Sequence, residues 1–173
     1  MGSLIRRGKA VLLRMDDVST DHIYPAKYIN LTDPARIAEH ALEGADPTLR
    51  ARLASAGSIL VTGNNFGCGS SREHAVIALQ GAGVTAVIAG SAARIWYRNA
   101  INLALPVLVC PEAAGQVAEG DALEVDFLTG QVRDLTQGAL LQGQAVSEFV
   151  AELIARGGIK PMMREKHAAG GRL

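Results

Sequence analysis

The chain has 173 residues and a mass of 18.1 kDa, with 17 Lys+Arg balanced by 17 Asp+Glu, 49% hydrophobic residues and two cysteines. That length suits one domain around one core, and zero net charge with a pI near 6.9 excludes the basic footprint that binding a phosphate backbone requires. Cys68 and Cys110 are too few for a disulfide framework, a four-thiolate zinc site or an iron–sulfur cluster held by this chain alone, so a reducing, cytoplasmic setting is expected.

The opening residues carry neither a myristoylation motif nor the apolar run of a signal peptide, so export is not expected. The first strand is expected over 10–13. Asp33 and Pro34 then supply an N-cap and a preset first turn for a helix over 35–42, and Pro47 opens a second short helix ending near Gly57. A strand over 58–62 follows. Residues 75–93 carry no charge, which by count alone hints at a membrane span. Gly81 and Gly83 divide that run into a helix end and a buried strand over 84–89, and no membrane segment is expected. Ser91 is placed to cap a helix over 92–104, on which Ile95, Asn99 and Asn102 share a side. Arg94 and Arg98 on that helix are expected to tie down a neighbouring loop. Strands over 106–109 and 123–127 come next, then a tight turn at 128–131 into a hairpin. A last helix over 147–156 stops at Gly157 and Gly158. Strands alternating with helices and ending in a hairpin make an α/β domain over 1–160, a mixed sheet or small barrel flanked by helices. Residues 161–173 read as a basic, flexible tail.

The segment Gly63-Asn64-Asn65-Phe66-Gly67-Cys68-Gly69-Ser70-Ser71-Arg72-Glu73-His74-Ala75 forms a strand-loop-helix corner. Its glycines open backbone conformations closed to other residues and let a ligand approach the main chain. Ser70 or Ser71 is expected to cap the helix, whose free amides favour an anion. Arg72 in the first turn opposes the helix dipole, but its fork suits a planar carboxylate. Turned outward, Arg72 would be a plain surface cation and Glu73 an ordinary first-turn acid. The Lys-Ser/Thr ending of a phosphate loop is missing, and the spacing is not that of a dinucleotide fingerprint.

Residues 65–75, with Ser19-Thr20-Asp21-His22-Ile23-Tyr24-Pro25-Ala26-Lys27-Tyr28 upstream and Ser91-Ala92-Ala93-Arg94-Ile95-Trp96-Tyr97-Arg98-Asn99-Ala100-Ile101-Asn102-Leu103 downstream, resemble the aconitase superfamily. The likeness is to its free-standing swivel domains, the small subunits of the isopropylmalate dehydratase/homoaconitase type, and it extends over residues 9–160. The resemblance implies a swivel-type domain and half of a hydro-lyase. A large aconitase-like partner would carry a [4Fe–4S] cluster with one open iron, in a heterodimer or higher hetero-oligomer, and this chain would bind no cofactor itself. By the same resemblance Ser70 is the base, acting as an alkoxide, and Arg72 binds a substrate carboxylate. Ser71 assists, and Asp21 stands at the site wall. By itself, an Asp after Ser-Thr is an ordinary turn acid. His22 and His74 are read as hydrogen-bonded structural groups.

Substrate choice in the family resembles a matter for the loop after the first strand, here Tyr28-Ile29-Asn30-Leu31. Asn30 supplies no cation for a third carboxylate, which disfavours homoaconitate and citrate, since an unpaired buried charge is expensive. Ile29 and Leu31 could line a small apolar pocket. Asn30 is not the apolar residue that isopropylmalate enzymes tend to place there either, so the expected substrate, 3-isopropylmalate, keeps 2,3-dimethylmalate or citramalate, and after them homoaconitate, as alternatives. A stand-alone anion-binding module and a non-catalytic regulatory subunit are the readings from other classes.

Overall fold

The first four strands run parallel, and each is followed by helix. In the computed structural model, which describes residues 4–53 and 57–168, these are β1 (Ile5–Leu13), β2 (Ser58–Thr62), β3 (Val84–Ala89) and β4 (Val107–Val109). The β1–β2 connection holds α1 (Thr20–Ile23), a 3-10 turn (Ala26–Tyr28), α2 (Pro34–Ala38) and α3 (Leu49–Leu53). Then come α4 (Glu73–Gly81) after β2, α5 (Arg94–Asn102) after β3 and α6 (Ala113–Gln116) after β4. The chain finishes with β5 (Ala122–Asp126), β6 (Gln131–Asp134), β7 (Leu140–Gln142), α7 (Glu148–Ala155) and α8 (Ile159–Ala168).

All seven strands form one mixed sheet in the order β4-β3-β2-β1-β5-β6-β7, and its two edges meet where the amide of Gln144, just past β7, donates to the carbonyl of Val109 in β4 at 2.8 Å, which curls the sheet toward a small barrel. β1 joins the halves, parallel to β2 on one side and antiparallel to β5 on the other. The turn expected at 128–131 connects β5 to β6 as a hairpin.

Every residue of β2 is buried, so exposure shows no alternation along it; the alternation is between two cores. Leu60, Val87 and Val11 point to one face, where they meet Leu42 and Leu49, Val76 and Leu79 of α4, and Trp96 of α5. Their neighbours Ile59, Val61 and Ile88 point to the other, against Phe127, Leu153 and Ile154. A sheet covered on both faces requires continuous apolar strands, which is how β2 and β3 read in the sequence.

Local signals set several helix ends. Asp33 accepts the amide of Ala35 at 3.0 Å with Pro34 in the first turn, and Ser147 accepts the amide of Val150 at 3.3 Å. Gly157 and Gly158 take positive φ after α7. The segment expected to be a frayed tail starts instead as helix: residues 161–168 belong to α8, with Met162 buried. The last five residues of that segment lie outside the described residues. No helix among the described residues is long and apolar enough to cross a membrane.

Candidate active site

The carboxyl ends of β1, β2 and β3 align, and the loops leaving them lie side by side, the usual place for a site on parallel strands. The β2 loop is gripped from both flanks. On one, the amide of Gly67 donates to Val18 (2.7 Å) and that of Thr20 to Cys68 (2.8 Å). On the other, the amide of Phe66 donates to Ser91 and that of Ala93 to Phe66, at 3.0 and 2.9 Å. Asn65 and Asp17 both adopt left-handed backbone, which their short polar side chains tolerate, and Asn65 Nδ2 donates to Asp17 Oδ1 at 2.7 Å. Gly67 also has positive φ, and a Cβ there would fall within the Trp96 side chain. Trp96 is buried and meets Phe66 edge to face at 4.8 Å.

This grip carries the chain to Ser70, Ser71 and Arg72. Neither serine caps α4: the N-cap is Arg72 itself, in extended conformation and without a side-chain cap. Pairing of Cys68 with the β1 loop holds the preceding residues outside the helix, which leaves both hydroxyls exposed. Asn99 Nδ2 of α5 approaches Ser71 Oγ at 3.4 Å. The Ser70 hydroxyl has no hydrogen-bond partner among the described residues.

Arg72 does not face solvent. Its side chain is 17% exposed, and its fork lies on Asp21, with Nη1 to Oδ1 at 2.6 Å and Nη2 to Oδ2 at 3.4 Å. Asp21 Oδ1 also accepts the amide of Ala26 at 3.2 Å. The hydrogen bond from Arg72 holds the Asp21 carboxyl below the usual range, against a smaller opposing effect of burial. Arg72 thus has one carboxylate in place and N–H groups left for another.

The structure brings Ile29, Asn30 and Leu31 to the same end of the molecule. His74 Nε2 donates to the Leu31 carbonyl at 3.2 Å, and His74 is two residues beyond Arg72. Ile29 and Asn30 are exposed, and Leu31 is half-buried against the core. Thr20 was not singled out in the sequence. Its buried Oγ1 has no partner among the described residues and lies 3.5 Å from where a Cβ on Gly69 would stand. No sequence signal distinguishes that hydroxyl from an ordinary core threonine.

Two expected details differ. Ser91 does not cap α5, because its hydroxyl accepts the amide of Asn65 at 2.8 Å, and Ala93 is the N-cap. Arg94 and Arg98 make no ion pair among the described residues. They line, with Tyr97 and Phe149, a cavity of about 460 Å³ between α5 and α7, apart from the serines.

The residues present do not fit a resident metal cluster. Cys68 Sγ lies 3.5 Å from the Asp17 carbonyl, whereas Cys110 is buried in the opposite core, where desolvation pushes its thiol up. Among the described residues no three His, Cys, Asp or Glu converge as metal ligands.

A seven-stranded α/β sheet with an open serine pair and a half-buried arginine at the ends of its parallel strands defines an aconitase-type swivel domain. The aconitase C-terminal domain family matches residues 43–112. The chain is 49% identical over 158 residues to the 2,3-dimethylmalate dehydratase small subunit of Eubacterium barkeri, covering 91% of this chain and 92% of that one. It is 48% identical over 151 residues to the 3-isopropylmalate dehydratase small subunit of Moorella thermoacetica, covering 87% and 90%. The crystal structure of 3-isopropylmalate dehydratase from Methanocaldococcus jannaschii superposes with a TM-score of 0.88 at 35% identity, over 96% of this chain and 98% of that one. The chain belongs to the aconitase-superfamily dehydratase small subunits of the 3-isopropylmalate dehydratase type.

Proposed function

We propose that the protein is the small subunit of a hydro-lyase that isomerises 3-isopropylmalate by removing water and returning it at the neighbouring carbon. The observation that carries this reading is the pairing of an unengaged Ser70 hydroxyl with a half-buried Arg72 fork paired to Asp21, on the framework shared with the named relatives. Ser70 takes the proton from the substrate carbon as the carbon–carbon double bond forms, and later returns a proton at the adjacent position. Arg72 holds a substrate carboxylate beside Asp21, and Ser71 adds a hydroxyl next to Asn99.

A serine hydroxyl is a weak acid, so its alkoxide requires nearby cations, oriented amides and the exclusion of water. Exposed Ser70 lacks the last of these in the isolated chain. The site is therefore completed by a large aconitase-like partner, which also carries the iron–sulfur cluster. Such a cluster, when bound in the partner, would supply Lewis-acid chemistry, while Ser70, Ser71 and Arg72 supply the proton transfer and the carboxylate binding.

Asn30 offers no positive charge, so the substrate carries two carboxylates and an apolar branch facing Ile29 and Leu31. Similarity to the Eubacterium barkeri small subunit favours a second reading, a methyl-branched malate such as 2,3-dimethylmalate. The test is anaerobic assembly with a cluster-bearing large subunit, followed by turnover on 3-isopropylmalate, 2,3-dimethylmalate, citramalate and homoaconitate. The highest kcat/KM is expected for 3-isopropylmalate; preference for a methylated malate would establish the second reading, and inactivity on all four would refute both.

A further inference from the structure

Residues 24–31 cross the molecule beside the Arg72–Asp21 pair as a strap. It is fixed at two points: Ala26 donates its amide to Asp21 of that pair, and the Leu31 carbonyl accepts from His74, two residues beyond Arg72 on α4. A dicarboxylate seated on Arg72 would lie beside the stretch of strap between these anchors. At its crest, Ile29 and Asn30 are exposed, and their side chains make no hydrogen bond among the described residues. The amides that flank it donate back along the strap, Ile29 to the Ala26 carbonyl at 3.1 Å and Leu31 to the Tyr28 carbonyl at 2.9 Å, so the crest takes its position from its neighbours.

The neighbours converge on Glu43. Its Oε1 accepts from Lys27 Nζ and from the Tyr28 hydroxyl, both at 2.9 Å, and its Oε2 accepts from His40 Nδ1 at 2.7 Å. The His40 ring lies flat on the Tyr28 ring, 3.5 Å between centroids and 12° between planes. Tyr24 closes the assembly, its hydroxyl donating to the Tyr28 carbonyl at 2.7 Å and its ring stacking on His74 at 5.6 Å. One carboxylate thus holds the two residues immediately before the crest, from a turn that belongs to neither the strap nor the serine loop.

We propose that Glu43 is a positioning residue for substrate selection. By gripping Lys27 and Tyr28 it sets where the Ile29–Asn30 crest stands relative to Arg72, and so the size of the branch a bound dicarboxylate can carry. This rests on the dehydratase reading given above, but the grip itself does not.

The test compares wild type, Glu43→Ala and Tyr28→Phe, each assembled with the large subunit. Tyr28→Phe removes one bond to Glu43 and keeps the ring stack. For Glu43→Ala, KM for the preferred malate should rise about tenfold with kcat within about twofold, and the preference between the bulkier and smaller malates should narrow by about tenfold. Tyr28→Phe should shift the same ratio in the same direction by less. A lowered melting temperature with the preference ratio unchanged in both variants overturns the proposal. Amide hydrogen exchange over residues 26–31 of the isolated chain provides the readout independent of activity. It should quicken in Glu43→Ala, and unchanged exchange overturns the proposal even if the wild-type complex turns over none of the malates, a result that would refute the dehydratase reading separately.

Discussion

Two segments flank the Arg72–Asp21 pair, and they are built in opposite ways. Residues 24–31 are fastened by Asp21, Glu43 and His74, with an aromatic ring set against each histidine of the strap's surroundings. Residues 68–71 are held by their backbone at one end and by a single long contact from Asn99 at the other, with Ser70 open to solvent. Groups that recognise a substrate's shape gain from being fixed beforehand. A reactive hydroxyl, in contrast, must keep its bonding capacity for the substrate and for whatever covers it.

Ser70→Ala is the strongest test of that contrast. In the assembled complex kcat should fall by roughly a hundredfold to ten-thousandfold, the usual share of a general base, while assembly measured by gel filtration is unchanged. Comparable activity would remove Ser70 from the chemistry. Arg72→Lys keeps the charge but loses the fork on Asp21, so kcat/KM should drop by roughly tenfold to a hundredfold in steady-state kinetics. Gly67→Ala probes the backbone grip alone. Positive φ and the collision with Trp96 together should cost about 2–4 kcal/mol, seen as a fall of roughly 5–15 °C in melting temperature.

The smallest effect distinguishes the fastened segment by pH. Lys27 first, then His40 and Tyr28, hold the Glu43 carboxyl at about 2 against an ordinary 4.5. A lowered folded pKa contributes stability that is fully present above 4.5 and is lost as pH falls toward 2. Glu43→Gln lacks that contribution. Its melting temperature should therefore decline less steeply than that of the wild type across this range, and parallel acid profiles would show that the grip adds nothing to stability.

β2 and β3 were legible because burial on both faces writes continuous apolar runs bounded by glycine, and the end of α7 was legible because Gly157 and Gly158 act on their own helix. The serines at 70, 71 and 91 look equally suited to capping, yet none caps. Cys68 is drawn to the β1 loop, and the Ser91 hydroxyl is taken by Asn65, partners remote in sequence. β7 has three residues and too little pattern to read, and α8 shows only Met162 buried on a charged helix. At the site, motif and spacing marked Ser70, Arg72 and Asp21, but the Arg72–Asp21 pair and the Glu43 grip exist only once β1 and β2 lie side by side.

The position of β1 bears on how the protein is made. Residue 5 pairs with residue 126, so the strand formed first during synthesis waits for one formed near the end, with its outer edge unpaired meanwhile. Contacts this remote slow folding and prolong the interval in which a nascent edge can join a stranger. A ribosome-stalled chain ending before β5 should accordingly be sensitive to proteases and dependent on chaperones, and one extended past the β6 hairpin should not.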